Sequence, residues 1–169
     1  MVDFARLEPK LLSELLEDAA KLWLAHDGLW FQAVESAFGM EAAIRLDEEA
    51  MGRFTVIEAN RIKQRWGLAD GSGLDGLAFA LQYRLYAHIN RQELERVDEH
   101  TLVLKMVECR VQNARQRKGM APFPCKSVGT IEYREFARVI DPAISTECLG
   151  CPPDSTGSEF WCAWKFTKA

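Results

Sequence analysis

The sequence has no long apolar run and no excess of basic residues, and these two absences exclude several functions. No stretch approaches the ~18 consecutive apolar residues of a membrane-spanning helix, so we expect no contact with a membrane. The 21 lysine and arginine residues are outnumbered by 25 aspartate and glutamate residues, which gives a net charge of −4. Because such a chain has no strong positive field to neutralise phosphates, we expect no nucleic-acid partner.

Several enzyme motifs are missing as well. There is no glycine-rich phosphate loop, no nucleophile elbow and no His-Glu-x-x-His sequence. We therefore expect no nucleotide cofactor, and neither serine-hydrolase nor zinc-protease chemistry. The N-terminus lacks the basic start and apolar core of a secretory signal. This predicts a cytoplasmic protein, in which cysteines are reduced and disulfides are rare.

The first half of the chain has the periodicity of helices. Apolar residues recur at spacings of three and four over residues 12–37, which predicts a helix that buries this stripe. Gly28 is expected to break or bend that helix, and Gly39 to end it. A second apolar stripe covers residues 40–54. Thr55, with a glutamate three residues later, forms a capping box, which predicts a new helix that ends at Gly67.

The second half changes to a mixed pattern. We predict a hairpin formed by strands at residues 93–97 and 101–107. Two helices are expected at 109–118 and 130–140, and two closing strands at 145–151 and 159–167. The strand at 101–107 is apolar on both faces except at Lys105, which is typical of a strand in mid-sheet. The predicted fold class is therefore α+β. A helical region (residues 1–68) precedes an antiparallel sheet of about four strands that carries two helices (residues 74–169), and the two form one compact unit.

The cysteines give the clearest candidate for a site, since four of the five lie in the last 45 residues. Cys148 and Cys151 are two residues apart with a glycine between them, so their thiolates can turn toward one tetrahedral metal ion. Cys109 and Cys125 are the natural remaining ligands of a four-cysteine zinc site. Iron is less favoured, because a single Cys-Pro sequence is weak support for iron–sulfur ligation.

Two other interpretations of the cysteines stay open. They can be buried, inert residues, since free cysteine often packs as a small hydrophobe; Cys162 is best interpreted in this way, because it shares a strand face with Trp164 and Phe166. They can also perform thiol chemistry. That alternative is weaker, because Pro-Pro-Asp rather than a helix follows Cys151.

Polar residues on the helical stripes suggest a second site. His26 and Asp47 both fall in step with apolar neighbours, so we expect them to face the interior as a hydrogen-bonded pair and to be the candidate catalytic residues. The alternative is that they only satisfy each other or the backbone. Asp27, one position off the stripe, can join this site or lie in solvent.

A basic helix and a tryptophan are the candidate ligand-binding residues. Arg110 and Arg115 lie on one short helix and suit a ligand that carries a carboxylate, although a charged helix face is more often simply solvated. Trp161 can line a pocket beside them.

Four stretches of the sequence carry a family resemblance. These are Leu-Ala-His-Asp-Gly-Leu-Trp-Phe at 24–31, Phe-Pro-Cys-Lys at 123–126, Thr-Glu-Cys-Leu-Gly-Cys-Pro-Pro-Asp at 146–154 and Trp-Cys-Ala-Trp-Lys-Phe at 161–166. Over nearly its whole length, the chain resembles small bacterial and archaeal cytosolic proteins of unknown function. More distantly, its second half is similar to the L-2-amino-thiazoline-4-carboxylate hydrolase-like family and to 4-vinyl-reductase-like domains. That resemblance implies hydrolysis of a sulfur heterocycle, but no catalytic motif matches residue by residue.

Two functions follow from these patterns, and whether the protein is an enzyme stays open. The favoured one is a module that binds a small molecule or a metal ion through its cysteines. The alternative is a hydrolase, in which water activated by a metal ion or by His26 attacks a C–N bond of a small carboxylate-bearing substrate. An interaction protein without a site is a third alternative, and the helical half can mediate a homodimer.

Overall fold

The computed structural model describes residues 3–154 and 159–169. Its described helices are α1 (Pro9–Phe38), α2 (Met40–Trp66), α3 (Gly73–Leu81), α4 (Arg110–Arg117) and α5 (Lys126–Ile140), with short 3-10 helices at Phe4–Arg6 and Leu85–His88. Its described strands are β1 (Arg91–Asp98), β2 (Thr101–Glu108), β3 (Ser145–Gly150) and β4 (Cys162–Thr167). The predicted α+β layout is confirmed. Part of the turn that we expected between the last two strands, at 155–158, lies outside the described residues.

Two long helices form the first half of the chain. Gly39 joins α1 to α2 with a φ of 87°, and Gly67 ends α2 with a φ of 63°, so both positions use backbone conformations that favour glycine. The expected break at Gly28 and the expected helix start at Thr55 are wrong, because both residues lie inside continuous helices. Thr55 is instead buried, and its hydroxyl donates a hydrogen bond to the carbonyl oxygen of Glu132.

The predicted inward face of α1 is also wrong. His26 is exposed and Trp30 is 70% exposed, whereas Ala20 and Leu24 are buried. Apolar residues recur at helical spacing on more than one face of this helix. Periodicity alone therefore could not decide which face packs against the rest of the protein.

The four described strands form one antiparallel sheet in the order β1-β2-β4-β3. The predicted hairpin is confirmed as β1 and β2, and β2 lies in mid-sheet, as its apolar faces predicted. Met106 pairs with Cys162, and Trp164 pairs with Leu104 on one side and with Cys148 on the other. This register positions the cysteines of the second half.

Helix α5 packs between α2 and the sheet, and its buried face forms much of the core. It begins four residues earlier than the predicted start at 130. Gly129 lies so close to Trp164 that a Cβ there would come within 2.7 Å of the indole Cζ2 atom, so this position requires glycine. No helix among the described residues has both the length and the apolar character needed to cross a membrane.

Candidate functional site

A cavity of about 400 Å³ lies where α1, α2, α4 and α5 meet the sheet. Its apolar wall is formed by Leu24, Met51, Met106, Val128 and Trp164. Its size falls in the range of pockets that hold small organic ligands, and such pockets combine apolar walls with a few polar groups. The cavity therefore contains most of what the chain offers for binding chemistry.

Three carboxylates line this cavity: Asp27 on α1, Asp47 on α2 and Glu132 on α5. Burial raises the pKa of Asp47 to about 7, and the nearby charges of Asp27 and Glu132 act in the same direction. Burial also raises the pKa of Asp27. Neither aspartate takes part in a salt bridge within the described part of the chain. Asp27 and Asp47 are therefore carboxyl groups in the cavity wall whose charge no direct ion pair compensates, although basic side chains such as Lys21 and Arg110 also line the cavity.

The third carboxylate, Glu132, belongs to a buried ion-pair cluster. Arg84 is only 2% exposed, and its guanidinium donates to Glu58 at 2.8 Å and to Glu132 at 2.5 Å. The same guanidinium lies 4.8 Å from the ring centre of Phe136. Burial raises the pKa of Glu132 although Arg84 opposes this shift. One arginine thus serves two buried carboxylates, which leaves an excess of negative charge beside the cavity.

The sulfur atoms form another part of the cavity wall. Cys109, Cys125, Cys151 and Cys162 all line it, whereas Cys148 does not. The Sγ atoms of Cys125 and Cys151 lie 3.5 Å apart. The predicted ligand set of Cys109, Cys125, Cys148 and Cys151 is thus only partly brought together, because β4 contributes Cys162 where the sequence suggested Cys148. Among the residues described, no group of three or more His, Cys, Asp or Glu side chains is arranged to hold a metal ion.

The thiols that line the cavity differ strongly in acidity. Hydrogen bonding with Cys151 and, more weakly, with Gln112 lowers the pKa of Cys125, although burial opposes this. Hydrogen bonds with Cys125 and Cys162, together with burial, raise the pKa of Cys151 well above its usual range. Burial raises the pKa of Cys109 to about 12. Cys125 therefore ionises more readily than Cys151 and Cys109.

The structure does not bring His26 and Asp47 together as the expected pair. Asp47 lines the cavity, but His26 is exposed on α1 and does not line it, and no hydrogen bond joins the two within residues 3–154. Asp27, one position further along α1, reaches the cavity instead, because one helical residue turns the side chain by about 100°. Ala20, Leu24, Asp27 and Phe31 also recur at helical spacing, and this stripe is the signal that could have identified the correct face.

The three predicted ligand-binding residues have different positions. Arg115 lines the cavity but is 4% exposed and already bonded, to both carboxylate oxygens of Glu35 at 2.7 and 2.9 Å and to a backbone carbonyl. Arg110 lines the cavity and is exposed, so it lies at the rim. Trp161 does not line the cavity, and its indole N–H donates to Asn113.

Three further residues at this site had no local sequence signal: Arg84, Gln112 and Glu132. Each is a polar residue whose burial depends on hydrogen-bond partners from other elements of the fold. Gln112 exchanges two hydrogen bonds with the backbone of Phe123, and its amide also donates to the sulfur of Cys125. Trp164 adds an indole N–H that is buried and has no hydrogen-bond partner in the described structure.

Comparison with known families gives a match over nearly the whole chain. A family model described as "Family of unknown function (DUF6125)" matches residues 6–168. This confirms the expected resemblance to uncharacterised proteins, whereas the more distant resemblance to thiazoline hydrolases and vinyl reductases stays a prediction. No curated protein matches the chain.

Proposed function

We propose that this chain, which belongs to DUF6125, a family of unknown function, binds a small organic molecule in the cavity. The observation that carries the proposal is a volume of about 400 Å³ with apolar walls and two aspartates, Asp27 and Asp47, that form no salt bridge among the described residues. Burying uncompensated charge is unfavourable for the protein alone, so a ligand that compensates the charge would recover that free energy.

The two unpaired aspartates of the cavity favour a ligand with a cationic nitrogen. Asp27 and Asp47 can accept hydrogen bonds from an ammonium group, and an opposite charge beside Asp47 would restore its ionised form. The apolar part of the ligand would pack against Leu24, Met51 and Trp164. Arg110 at the rim is the group that suits a carboxylate on the same ligand.

A series of matched compounds tests this proposal. We expect phenylethylamine to raise the melting temperature in a concentration-dependent way, whereas 2-phenylethanol and 3-phenylpropionate, of similar size, should have much weaker effects. Asp47→Asn should abolish the effect of the amine, and Asp18→Asn, an exposed aspartate on α1, should not. Equal effects of amine and alcohol, or an unchanged response of the Asp47 variant, would overturn the proposal.

The hydrolase alternative draws support from the same carboxylates. A carboxyl group with a pKa of about 7 beside a second carboxylate is suited to exchange protons with water near neutral pH. The measurement is incubation with L-2-amino-thiazoline-4-carboxylate, followed by mass spectrometry for addition of one water. Turnover that disappears in Asp47→Asn would support this alternative, and unchanged substrate would exclude it for that compound.

We also propose, as the sequence suggested, that the protein is cytoplasmic and forms a homodimer through its helical half. All five cysteines are free thiols, in agreement with a reducing compartment. Leu15, Leu22 and Leu29 recur every seven residues on an exposed face of α1, which is the spacing of helix-to-helix contacts between chains. Light scattering should show a dimer that Leu22→Glu converts to a monomer. A wild-type monomer at high concentration would refute this proposal.

A further inference from the structure

We propose that Cys125 and Cys151 form a reactive dithiol, in which a hydroperoxide oxidises Cys125 and Cys151 then closes an intramolecular disulfide. This pair differs from the Cys148–Cys151 pair that the sequence spacing suggests. The proposal requires no bound ligand, so it can fail or succeed independently of the binding function.

The distance between the two sulfurs is the first support. They lie 3.5 Å apart, although the residues are separated by 26 positions in the chain. A disulfide has a bond length of about 2.05 Å, so closure requires a movement of roughly 1.5 Å shared between two side chains. Cys125 lies just before α5 and Cys151 just after β3, so neither residue lies inside a regular element.

The surroundings of Cys125 favour its thiolate. It is the residue immediately before the fifteen-residue helix α5, where the helix dipole favours negative charge. The amide of Gln112 donates to its sulfur at 3.5 Å. Gln112 is 1% exposed, and two hydrogen bonds with the backbone of Phe123 hold it in place. This donor is therefore already oriented toward the sulfur.

The other thiols have different roles. The hydrogen bonds of Cys151 raise its pKa, so it stays protonated and is suited to react second. Burial raises the pKa of Cys109 and of Cys148, which disfavours both as the first nucleophile. Both Cys125 and Cys151 line the cavity, which provides a small oxidant with a route to them.

The chemistry balances with a hydroperoxide as the oxidant. The Cys125 thiolate attacks the O–O bond, takes one oxygen as a sulfenic acid and releases an alkoxide or hydroxide, which takes a proton from water. The Cys151 sulfur then attacks the Cys125 sulfur. The S–O bond breaks, an S–S bond forms, and the departing hydroxide leaves as water with the proton of Cys151. The dithiol loses two electrons, and the hydroperoxide is reduced to an alcohol or water.

Hydrogen peroxide is the probe for the test. Wild-type protein should lose the mass of two hydrogen atoms, and peptide mapping should locate the disulfide between Cys125 and Cys151. Cys151→Ser should instead accumulate a sulfenic acid at Cys125 that dimedone traps. Cys125→Ser should react at least about tenfold more slowly. Cys148→Ser is the matched control, since it removes the other cysteine of the CxxC sequence, and it should behave as the wild type.

A measurement on the unmodified protein guards against variants that fold poorly. With limiting iodoacetamide, peptide mapping should find Cys125 alkylated first among the five cysteines, at a pH below that at which free cysteine reacts. A disulfide between Cys148 and Cys151, a Cys125→Ser variant that oxidises at the wild-type rate, or first alkylation at another cysteine would overturn the proposal.

Discussion

Replacing Asp47 by asparagine should stabilise the ligand-free protein at alkaline pH and have a much smaller effect on its stability at acid pH. The folded-state pKa of Asp47, about 7, lies above the value of 3.8 for an unperturbed aspartate. Between these values the folded protein holds a proton that the unfolded chain has lost. The free energy of unfolding therefore falls as the pH rises from about 4 to about 7, and the penalty is complete above that range.

The size of the effect follows from the difference in pKa. Each pKa unit corresponds to about 1.36 kcal/mol, so a rise from 3.8 to about 7 corresponds to a penalty of about 4 kcal/mol for the ionised side chain. Asp47 is only partly shielded from solvent, which screens its charge. We therefore expect the variant to gain about 2–4 kcal/mol at pH 8.5. Asparagine has nearly the shape of the protonated acid, so the gain should shrink to about 1 kcal/mol or less at pH 4.5, which lies less than one unit above the pKa of 3.8 of the unfolded chain.

Urea denaturation followed by circular dichroism gives the required free energies. Wild type, Asp47→Asn and the exposed control Asp18→Asn should be measured at both pH values in the absence of amines. The control removes one negative charge without removing a buried one, so it reports the general effect of net charge. A gain of the same size at both pH values, or a loss of stability at pH 8.5, would refute the assignment of Asp47 as an uncompensated buried carboxylate.

Three further predictions concern the surroundings of the cavity. Arg84→Met should destabilise the protein by about 3–5 kcal/mol at neutral pH, because it leaves two buried glutamates unpaired, and the loss in urea denaturation should shrink as the pH falls. Gly129→Ala should cost about 1–3 kcal/mol through its clash with Trp164, whereas Gly28→Ala, also on a helix at the cavity but with nothing within 4 Å, should gain about 0.5–1 kcal/mol. If the expected four-cysteine zinc site forms, metal analysis after reducing purification should find close to one zinc per chain, and less than about a tenth would refute it.

The parts of the fold that were predicted correctly are those that local sequence determines. Gly39 and Gly67 end helices because their positive φ angles suit glycine, and the hairpin follows from alternating residues around a turn at 99–100. The continuation of α2 through Thr55 was missed because the capping signal is local. In the folded protein the Thr55 hydroxyl does not cap a helix. It donates a buried hydrogen bond to the backbone of Glu132, 77 residues away in the chain.

At the candidate site, too, local sequence did not determine which residues lie together. The composition marked the cysteines as the unusual feature of the sequence, but spacing favoured Cys148 as the partner of Cys151. The tertiary structure decides otherwise: Cys148 on β3 pairs with Trp164 on β4 but does not line the cavity, while the start of α5 brings Cys125 to Cys151. A contact between residues 26 positions apart depends on how a helix and a sheet pack, which residue spacing does not encode. The choice between metal ligand and reactive thiol therefore rests on these tertiary neighbours, and the oxidation products of Cys148→Ser and Cys125→Ser distinguish the two pairings directly.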